Sequence, residues 1–206
     1  FEMGFIKDFT DVMDLIERMF IDLITHLKIE AAGELQLLGV THEIPKNIPH
    51  LTMDEAKKLL LAKGKTYAVD DDLDAEGEKL IGEIVKEKYG SEFVFITFFP
   101  WKVKPFYQMK AENNPQVTKS FDLLFNGVEI CSGSQREHRL DVWKKQAAEK
   151  GLNPEGMPEY AEIFMYGCPA HGGAGFGLDR ITQRLLLLDN VREAVLLPRD
   201  PVREKP

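Results

Sequence analysis

The chain predicts an α+β fold, an antiparallel sheet flanked by helices, on three observations. Two strand-like runs, Phe121 to Phe125 and Val128 to Ser132, flank Asn126-Gly127, a pair suited to a two-residue hairpin because both turn positions take positive φ. Glu92 to Phe99, reading EFVFITFF, is a nearly continuous apolar, β-prone run, the pattern of a central buried strand. Between such runs lie helical stripes, the longest with Val12, Leu15, Ile16, Met19, Leu23 and Leu27 at helical spacing.

The 206 residues are 44% hydrophobic and 29% charged with a formal net charge of −8, which fits a soluble globular protein with ample core. No linker-like stretch divides them, so one domain is expected. Cys131 and Cys168 form neither a CxxC pair nor a ligand cluster, so neither a disulfide framework nor a zinc site is indicated, which favours a reducing compartment. No apolar run approaches the roughly 20 residues that span a bilayer, and the first residues lack a basic stretch followed by an apolar one. A cytoplasmic protein without a membrane partner is expected. The acidic balance, with a pI near 5.2, argues against a dedicated nucleic-acid grip by these residues.

Taken in order, Phe1 to Ile6 has strand character, and Asp8, Thr10 and Asp11 supply capping chemistry for a helix of about five turns ending near Lys28. Residues 33–49 are interrupted at Gly39, Pro45 and Pro49 and read as irregular. Thr52-Met53-Asp54-Glu55 is a capping box before a helix carrying Ala56, Leu59, Leu60 and Leu61, which Gly64 is placed to end. Asp70-Asp71-Asp72 reads as a solvated lead into a helix over Asp74 to Tyr89, in preference to a metal cluster, because acidic residues favour a helix start. Pro100-Trp101 stops the buried strand; a basic and aromatic segment, KVKPFYQM from Lys102 to Met109, and a polar loop from Glu112 to Thr118 follow. Helices are expected over Glu137 to Lys150, with Val142, Trp143 and Ala147 inward, over Pro158 to Tyr166, and over Ile181 to Leu188.

The hairpin carries the first candidate chemistry. With Asn126-Gly127 as the loop, Phe125 faces Val128, Leu124 faces Glu129 and Asp122 faces Cys131. Asp122 and Glu129 then share a face as diagonal neighbours, with Cβ atoms roughly 7 Å apart, close enough to share one divalent cation. Phe121, Leu123, Phe125, Val128 and Ile130 make the opposite, core face. Gly133 would turn the backbone out of the strand toward Arg136, whose guanidinium suits a carboxylate ligand. Acids on the solvent face of an edge hairpin are also ordinary, so the hairpin alone leaves both readings open. Downstream, the glycines from Gly172 to Gly177 admit a flat or charged ligand to the backbone, and Arg180 at the following helix start can stack on a purine and pair with phosphate. The spacing is neither a Walker loop nor a dinucleotide fingerprint, and a tight strand-to-helix turn with a structural Arg accounts for it equally well.

Together these stretches resemble the class II aminoacyl-tRNA synthetases. GFGLDR at Gly175 to Arg180 resembles motif 3 of that class, and SFDLLFNGVEICSGSQREHR at Ser120 to Arg139, with KPFY upstream and HGGAGFGLDR downstream, is similar to the archaeal and eukaryotic-type aspartyl enzymes. The resemblance runs over essentially the whole chain and is most specific in its second half. It implies a class II synthetase-type antiparallel sheet, here incomplete. It also implies ATP-dependent activation of L-aspartate to aspartyl-adenylate and transfer to tRNA, with Mg²⁺ as cofactor. By resemblance Asp122, Glu129 and Ser132 hold the metal, Ser132 needing a bulge near Gly133 to share the acidic face. Arg136 binds the substrate carboxylate with Ser132 and His171 beside it. Glu129, Gly175, Gly177 and Arg180 bind ATP, and Arg136 and Arg180 are the catalytic arginines.

The resemblance further implies that Phe1-Glu2-Met3 is the last strand of motif 2, so that the chain is the C-terminal portion of a catalytic domain. The α-phosphate Arg, the anticodon-binding barrel and motif 1, through which a homodimer would form, then lie upstream. Adenylate formation by this segment alone is not expected. Ala170, where the family usually has Pro, and the closing Arg203-Glu204-Lys205-Pro206 depart from the family's pattern. Two alternatives stand beside the ligase: a tRNA-independent paralogue making asparagine through the same adenylate, and a non-catalytic nucleotide-binding remnant.

Overall fold

A computed structural model describes residues 1–199 and 201–202; Arg203 to Pro206, and the departure from the family's ending that they carry, lie outside the described residues. Six strands form one sheet in the order β1 (Glu2–Gly4), β8 (His171–Phe176), β7 (Val128–Gln135), β6 (Ser120–Phe125), β3 (Phe93–Thr97), β2 (His50–Thr52). Every pair is antiparallel except β2 with β3. The predicted α+β class holds, and the hairpin occupies the middle of the sheet rather than an edge.

Helices cover both faces. On one, α1 (Phe9–Glu30) lays Phe9, Val12, Met13, Ile16, Phe20 and Ile24 over Phe93, Phe95, Phe121, Leu123 and Phe125. The helix is longer than the five turns expected, and its buried stripe is rotated: Met13 and Phe20 point inward while Met19 is 39% exposed. Periodicity leaves the edges of such a stripe undetermined, and the larger Phe20 takes the central place. On the other face α3 (Met53–Ala62) and α4 (Ala75–Tyr89) pack Ala56, Leu60, Ile81 and Val85 on Val94, Ile96 and Leu124. The capping box predicted at Thr52 and Glu55 starts α3, and Asp74 caps α4 through the Gly77 amide.

Other expectations are revised. Residues 33–49 are not wholly irregular: α2 (Ala32–Leu38) lies there, and Gly39, at φ 67°, is its left-handed terminator. The expected polar loop holds a small hairpin of β4 (Lys110–Ala111) and β5 (Asn114–Thr118). α5 (Leu140–Glu149), α6 (Pro158–Met165) and α7 (Leu178–Leu185) match the three later helices within a few residues. Gly172 to Phe176 lie within β8 in the body of the sheet, and the strand-to-helix step comes at Gly177.

The hairpin register holds at the turn and then changes. Asn126 and Gly127 both have positive φ, and Phe125 pairs with Val128 and Leu124 with Glu129. One residue is then inserted in β7: Leu123 pairs with Cys131, and Asp122 with Ser132 instead of Cys131. Ile130 and Cys131 both enter the α1 core, as the two residues of a β-bulge do. The bulge thus sits three residues earlier than the position at Gly133 that the resemblance required, and Gly133 does not turn the chain. It lies inside β7, where a Cβ would strike the Phe121 ring and the Gly173 carbonyl.

The turn is clamped from above by α4. A Cβ on Gly82 would lie 2.5 Å from the Gly127 amide nitrogen and 2.7 Å from its Cα, and one on Gly127 would lie 2.6 Å from the Lys79 Cα. Helix propensity favours Ala over Gly at an interior position by up to ~1 kcal/mol. Here the clash is backbone on backbone and cannot be relieved by a rotamer. Gly82→Ala is therefore expected to destabilise the fold by a net ~1–3 kcal/mol, measured by urea unfolding; a variant as stable as the parent or more so would show that α4 does not need this close approach.

Candidate active site

Past the bulge β7 alternates so that Ser132 and Ser134 share the face of Asp122 and Leu124, and the chain leaves the strand at Arg136. Cross-strand pairing extends this into two rows. Asp122 of β6, Ser132 of β7 and Gly175 of β8 are directly opposite one another, and so are Ser120, Ser134, Gly173 and Glu2. The face is therefore acidic at β6, hydroxylic at β7 and without side chains at β8.

Asp122 is buried, at 7% exposure, and both its oxygens accept from Lys104 Nζ, at 3.1 and 2.9 Å. Lys104 lies in turn 3.7 Å from the centroid of the Phe99 ring. Burial pushes the Asp122 carboxyl upward, and Lys104 and the Ser132 hydroxyl oppose that by favouring the charge. Glu129, half-buried, stands where α7 begins: Arg180 Nη1 donates to its carbonyl oxygen at 2.9 Å and lies 3.6 Å from its carboxylate. The Gly177 amide at the helix start donates to the Ile130 carbonyl at 2.8 Å. Thus Arg180 and Glu129 share one cleft of about 390 Å³, lined also by Glu78, Lys79, Asn126 and Arg184.

Glu78 of α4 is an addition that sequence reasoning missed, because nothing local sets it apart from the other acids of that helix. Its carboxylate accepts from the Glu129 amide at 3.3 Å. Burial raises the Glu78 carboxyl to about 7, the charges of Glu129 and Asp122 adding to the effect. Three carboxylates are thereby directed toward one region, although among the described residues no three His, Cys, Asp or Glu side chains are close enough to cage a cation. Two carboxylates and a hydroxyl, all hard oxygens, suit Mg²⁺ that completes its shell with phosphate oxygens and water. Asp122 would share its oxygens between that ion and Lys104.

Arg136 sits at the far end of β7, roughly 20 Å along the strand from Glu129 at ~3.3 Å per residue. Its Nε and Nη2 donate to the two oxygens of Glu2, at 3.0 and 3.2 Å, and Nη1 donates to Ser134 Oγ at 2.6 Å. Of the five guanidinium donors these bonds engage three. The Tyr107 ring lies 5.6 Å away, with Tyr160, whose hydroxyl is pushed up by burial, nearby. His171 is joined to this site through the backbone, its carbonyl accepting from the Arg136 amide at 2.9 Å, while its ring is turned to the Pro169 carbonyl and Cys168. Glu2, Lys104 and Tyr107 were not singled out as site residues; the KPFY string containing the last two was the available signal.

The site residues thus fall into two groups on one face: Asp122, Glu129, Ser132, Gly175, Gly177 and Arg180 toward α4 and α7, and Arg136 and His171 toward β1. A carboxyl whose folded pKa is raised to about 7 from an ordinary 4.5 favours the fold below about pH 4.5, and that advantage is lost as pH rises through 7. Glu78→Gln is accordingly expected to stabilise the protein at pH 8 in EDTA by ~1–2 kcal/mol after allowance for partial exposure, and to leave stability at pH 4.5 unchanged. Unfolding curves at the two pH values check this; equal effects at both would refute the assigned environment.

Comparison with known proteins places this geometry. A family model described as tRNA synthetases class II (D, K and N) matches residues 1–201. The aspartate–tRNA(Asp) ligase of Pyrococcus abyssi is 45% identical over 206 residues, all of this chain and 47% of the relative. Among solved structures, an aspartyl-tRNA synthetase from Entamoeba histolytica superposes with a TM-score of 0.95 at 33% identity, covering 100% of this chain and 43% of that one. The asparaginyl-tRNA synthetase of Pyrococcus horikoshii complexed with asparaginyl-adenylate gives 0.91 at 27% identity, covering 100% and 47%. The chain therefore spans about half the length of the curated relatives it matches. A sheet with paired carboxylates at its centre, a glycine strand beside them and an arginine at either end agrees with that likeness, and the chain belongs to the class II tRNA synthetase family of the aspartyl, lysyl and asparaginyl type.

Proposed function

We propose that the protein carrying this chain is an aspartate–tRNA ligase, and that these residues hold the aspartate and the ATP phosphates while the adenylate forms. The observation that carries the reading is the one face of β7 with carboxylates at one end and Arg136 at the other. A carboxylate-bearing amino acid at Arg136 and a nucleotide at Arg180 would then meet over Ser132 and Gly175. The Mg²⁺ that Asp122, Glu129 and Ser132 would hold supplies charge neutralisation at phosphate oxygens.

Each residue has a task that its chemistry fits. Arg136, set by Glu2 and Ser134, retains donors to fork onto the side-chain carboxylate of aspartate, which an amide cannot match in charge. Arg180 at the start of α7 is half-exposed and can stack on adenine while reaching a phosphate. Gly175 has open space where a Cβ would be, so the ligand meets bare backbone there. His171 closes the amino-acid side through the Arg136 amide. Little covalent chemistry falls to these groups; they orient the α-carboxylate toward the α-phosphorus and steady developing charge. Because the chain spans 47% of the P. abyssi relative, the full reaction, tRNA transfer included, is assigned to the full-length protein. No helix among the described residues is long and apolar enough to cross a membrane.

The competing reading, asparagine as the activated amino acid, is favoured by the likeness to an asparaginyl enzyme. ATP–pyrophosphate exchange by the full-length protein separates the two: it should require aspartate and cease on chelation of Mg²⁺. Exchange driven by asparagine alone would replace the aspartate reading. Arg136→Lys is expected to lower kcat/KM for aspartate by roughly 10²- to 10³-fold with the ATP KM little changed, whereas Arg180→Ala should raise the ATP KM and spare that for aspartate. Loss of both parameters in both variants would defeat the division of roles.

A further inference from the structure

His42 lies in the loop after α2, between exposed Thr41 and Glu43, yet is itself only 5% exposed. Its Nδ1 is 2.8 Å from Glu92 Oε2 and its Nε2 is 2.7 Å from the carbonyl oxygen of Leu185, the last residue of α7. A neutral imidazole has one N–H and can donate to only one of two acceptors. The alternative, a protonated Glu92 donating to Nδ1, is opposed by Lys86, whose ammonium donates to the other Glu92 oxygen at 3.3 Å. Burial raises the Glu92 carboxyl, but His42 and Lys86 outweigh it and hold the group below its ordinary value. With Glu92 ionised, both ring nitrogens of His42 donate, and the ring is an imidazolium. The hydrogen bond that His42 donates to Glu92 raises its pKa above 6.5 against the opposing effect of burial.

The charged groups around the ring come from every packed element. Lys28 at the end of α1 donates to the His42 carbonyl at 2.8 Å, Glu34 of α2 lines the same groove, Lys86 belongs to α4, and Glu92 opens β3. The Glu92 carbonyl also accepts from the Asn126 amide at the hairpin turn, at 2.7 Å. α7 contributes the Leu185 carbonyl, one of the terminal acceptors that a helix cannot satisfy internally and that a cation suits. At its other end the same short helix is tied to β7 through Gly177 and Arg180.

We propose that His42, as an imidazolium, is a positioning residue for Arg180: it fastens the C-terminal end of α7 to the start of β3, so that its proton sets the placement of the helix that presents Arg180. The clasp is a property of the fold, and its link to a nucleotide rests on the function proposed above. Because the folded pKa is raised, the clasp is complete below about pH 6.5 and is lost as pH rises through the higher folded value.

Nitrogen-15 NMR of the protein should find His42 titrating with a midpoint above 6.5, both ring nitrogens carrying protons below it. The α7 amides from Gly177 to Leu185 and the Arg180 Nε signal should shift with the His42 midpoint. That shared midpoint should vanish in His42→Gln and move to lower pH in Glu92→Gln, a variant that retains the imidazole should the first fail to fold. Affinity for a non-hydrolysable ATP analogue should fall as His42 deprotonates. In His42→Gln it should be roughly 3- to 30-fold weaker and independent of that titration, with aspartate affinity unchanged. A His42 midpoint at or below 6.5, or α7 signals indifferent to that midpoint, overturns the clasp. An unaltered pH profile of nucleotide affinity in His42→Gln overturns its link to the nucleotide. If the protein binds no nucleotide while α7 titrates with His42, the proposed function fails and the clasp stands.

Discussion

A single inserted residue in β7 decides which side chains the centre of the sheet offers. Without it, strict alternation from the Asn126-Gly127 turn would place Ser132 and Ser134 on the face that α1 covers, among phenylalanines, and Cys131 opposite Asp122. With it, Ile130 and Cys131 both go to the apolar core, and the two hydroxyls come to the face of Asp122. The bulge needs rigid register on either side. On one side the α4 clamp on the turn provides it, and on the other the close seat of Gly133 over Phe121.

Around that face no carboxylate is left to burial alone. Asp122 has Lys104, although burial still leaves its carboxyl raised; Glu2 has Arg136, Glu129 has Arg180, and Glu78, which accepts from a backbone amide and feels the charges of Glu129 and Asp122, is raised to about 7. Of these pairs Asp122–Lys104 is buried on both sides, and breaking it would leave an uncompensated buried charge, a cost that exceeds the net worth of the pair itself. Under the proposed function the cations stand where phosphate and carboxylate ligands would bring more negative charge, and the acids would hold a metal between them.

Much of this was legible because its determinants are local. The hairpin, the Thr52 capping box and the buried strand at β3 are written in adjacent residues, and Asp122, Glu129, Arg136 and Arg180 lie in contiguous strings that resemble a family. What was not legible depends on partners distant in sequence. Glu2 meets Arg136 across 134 positions and His42 meets Leu185 across 143. Lys104 reaches Asp122 only because the segment after β3 folds back over β6. The glycines of β8 left the extent of the strand unread for a different reason: strand propensity counts glycine against a strand, whereas here closeness to Ser134 and to the Phe1 carbonyl excludes any Cβ at Gly172 and Gly173.

That glycine strand has a consequence for how such a site can diversify. Peptide groups present the same donors and acceptors whatever the residue, so a ligand lying on β8 is read there for its thickness and planarity and not for its identity. Substitution has little room to retune the strip: at Gly173 any side chain collides with the Phe1 carbonyl and Glu2, and at Gly175, where a Cβ meets no neighbour, it would fill the space that the proposed function gives to the ligand. Discrimination between an acid and its amide, or between one nucleotide and another, must be written on the flanking strands and helix, which can change one residue at a time while the common floor stays as it is.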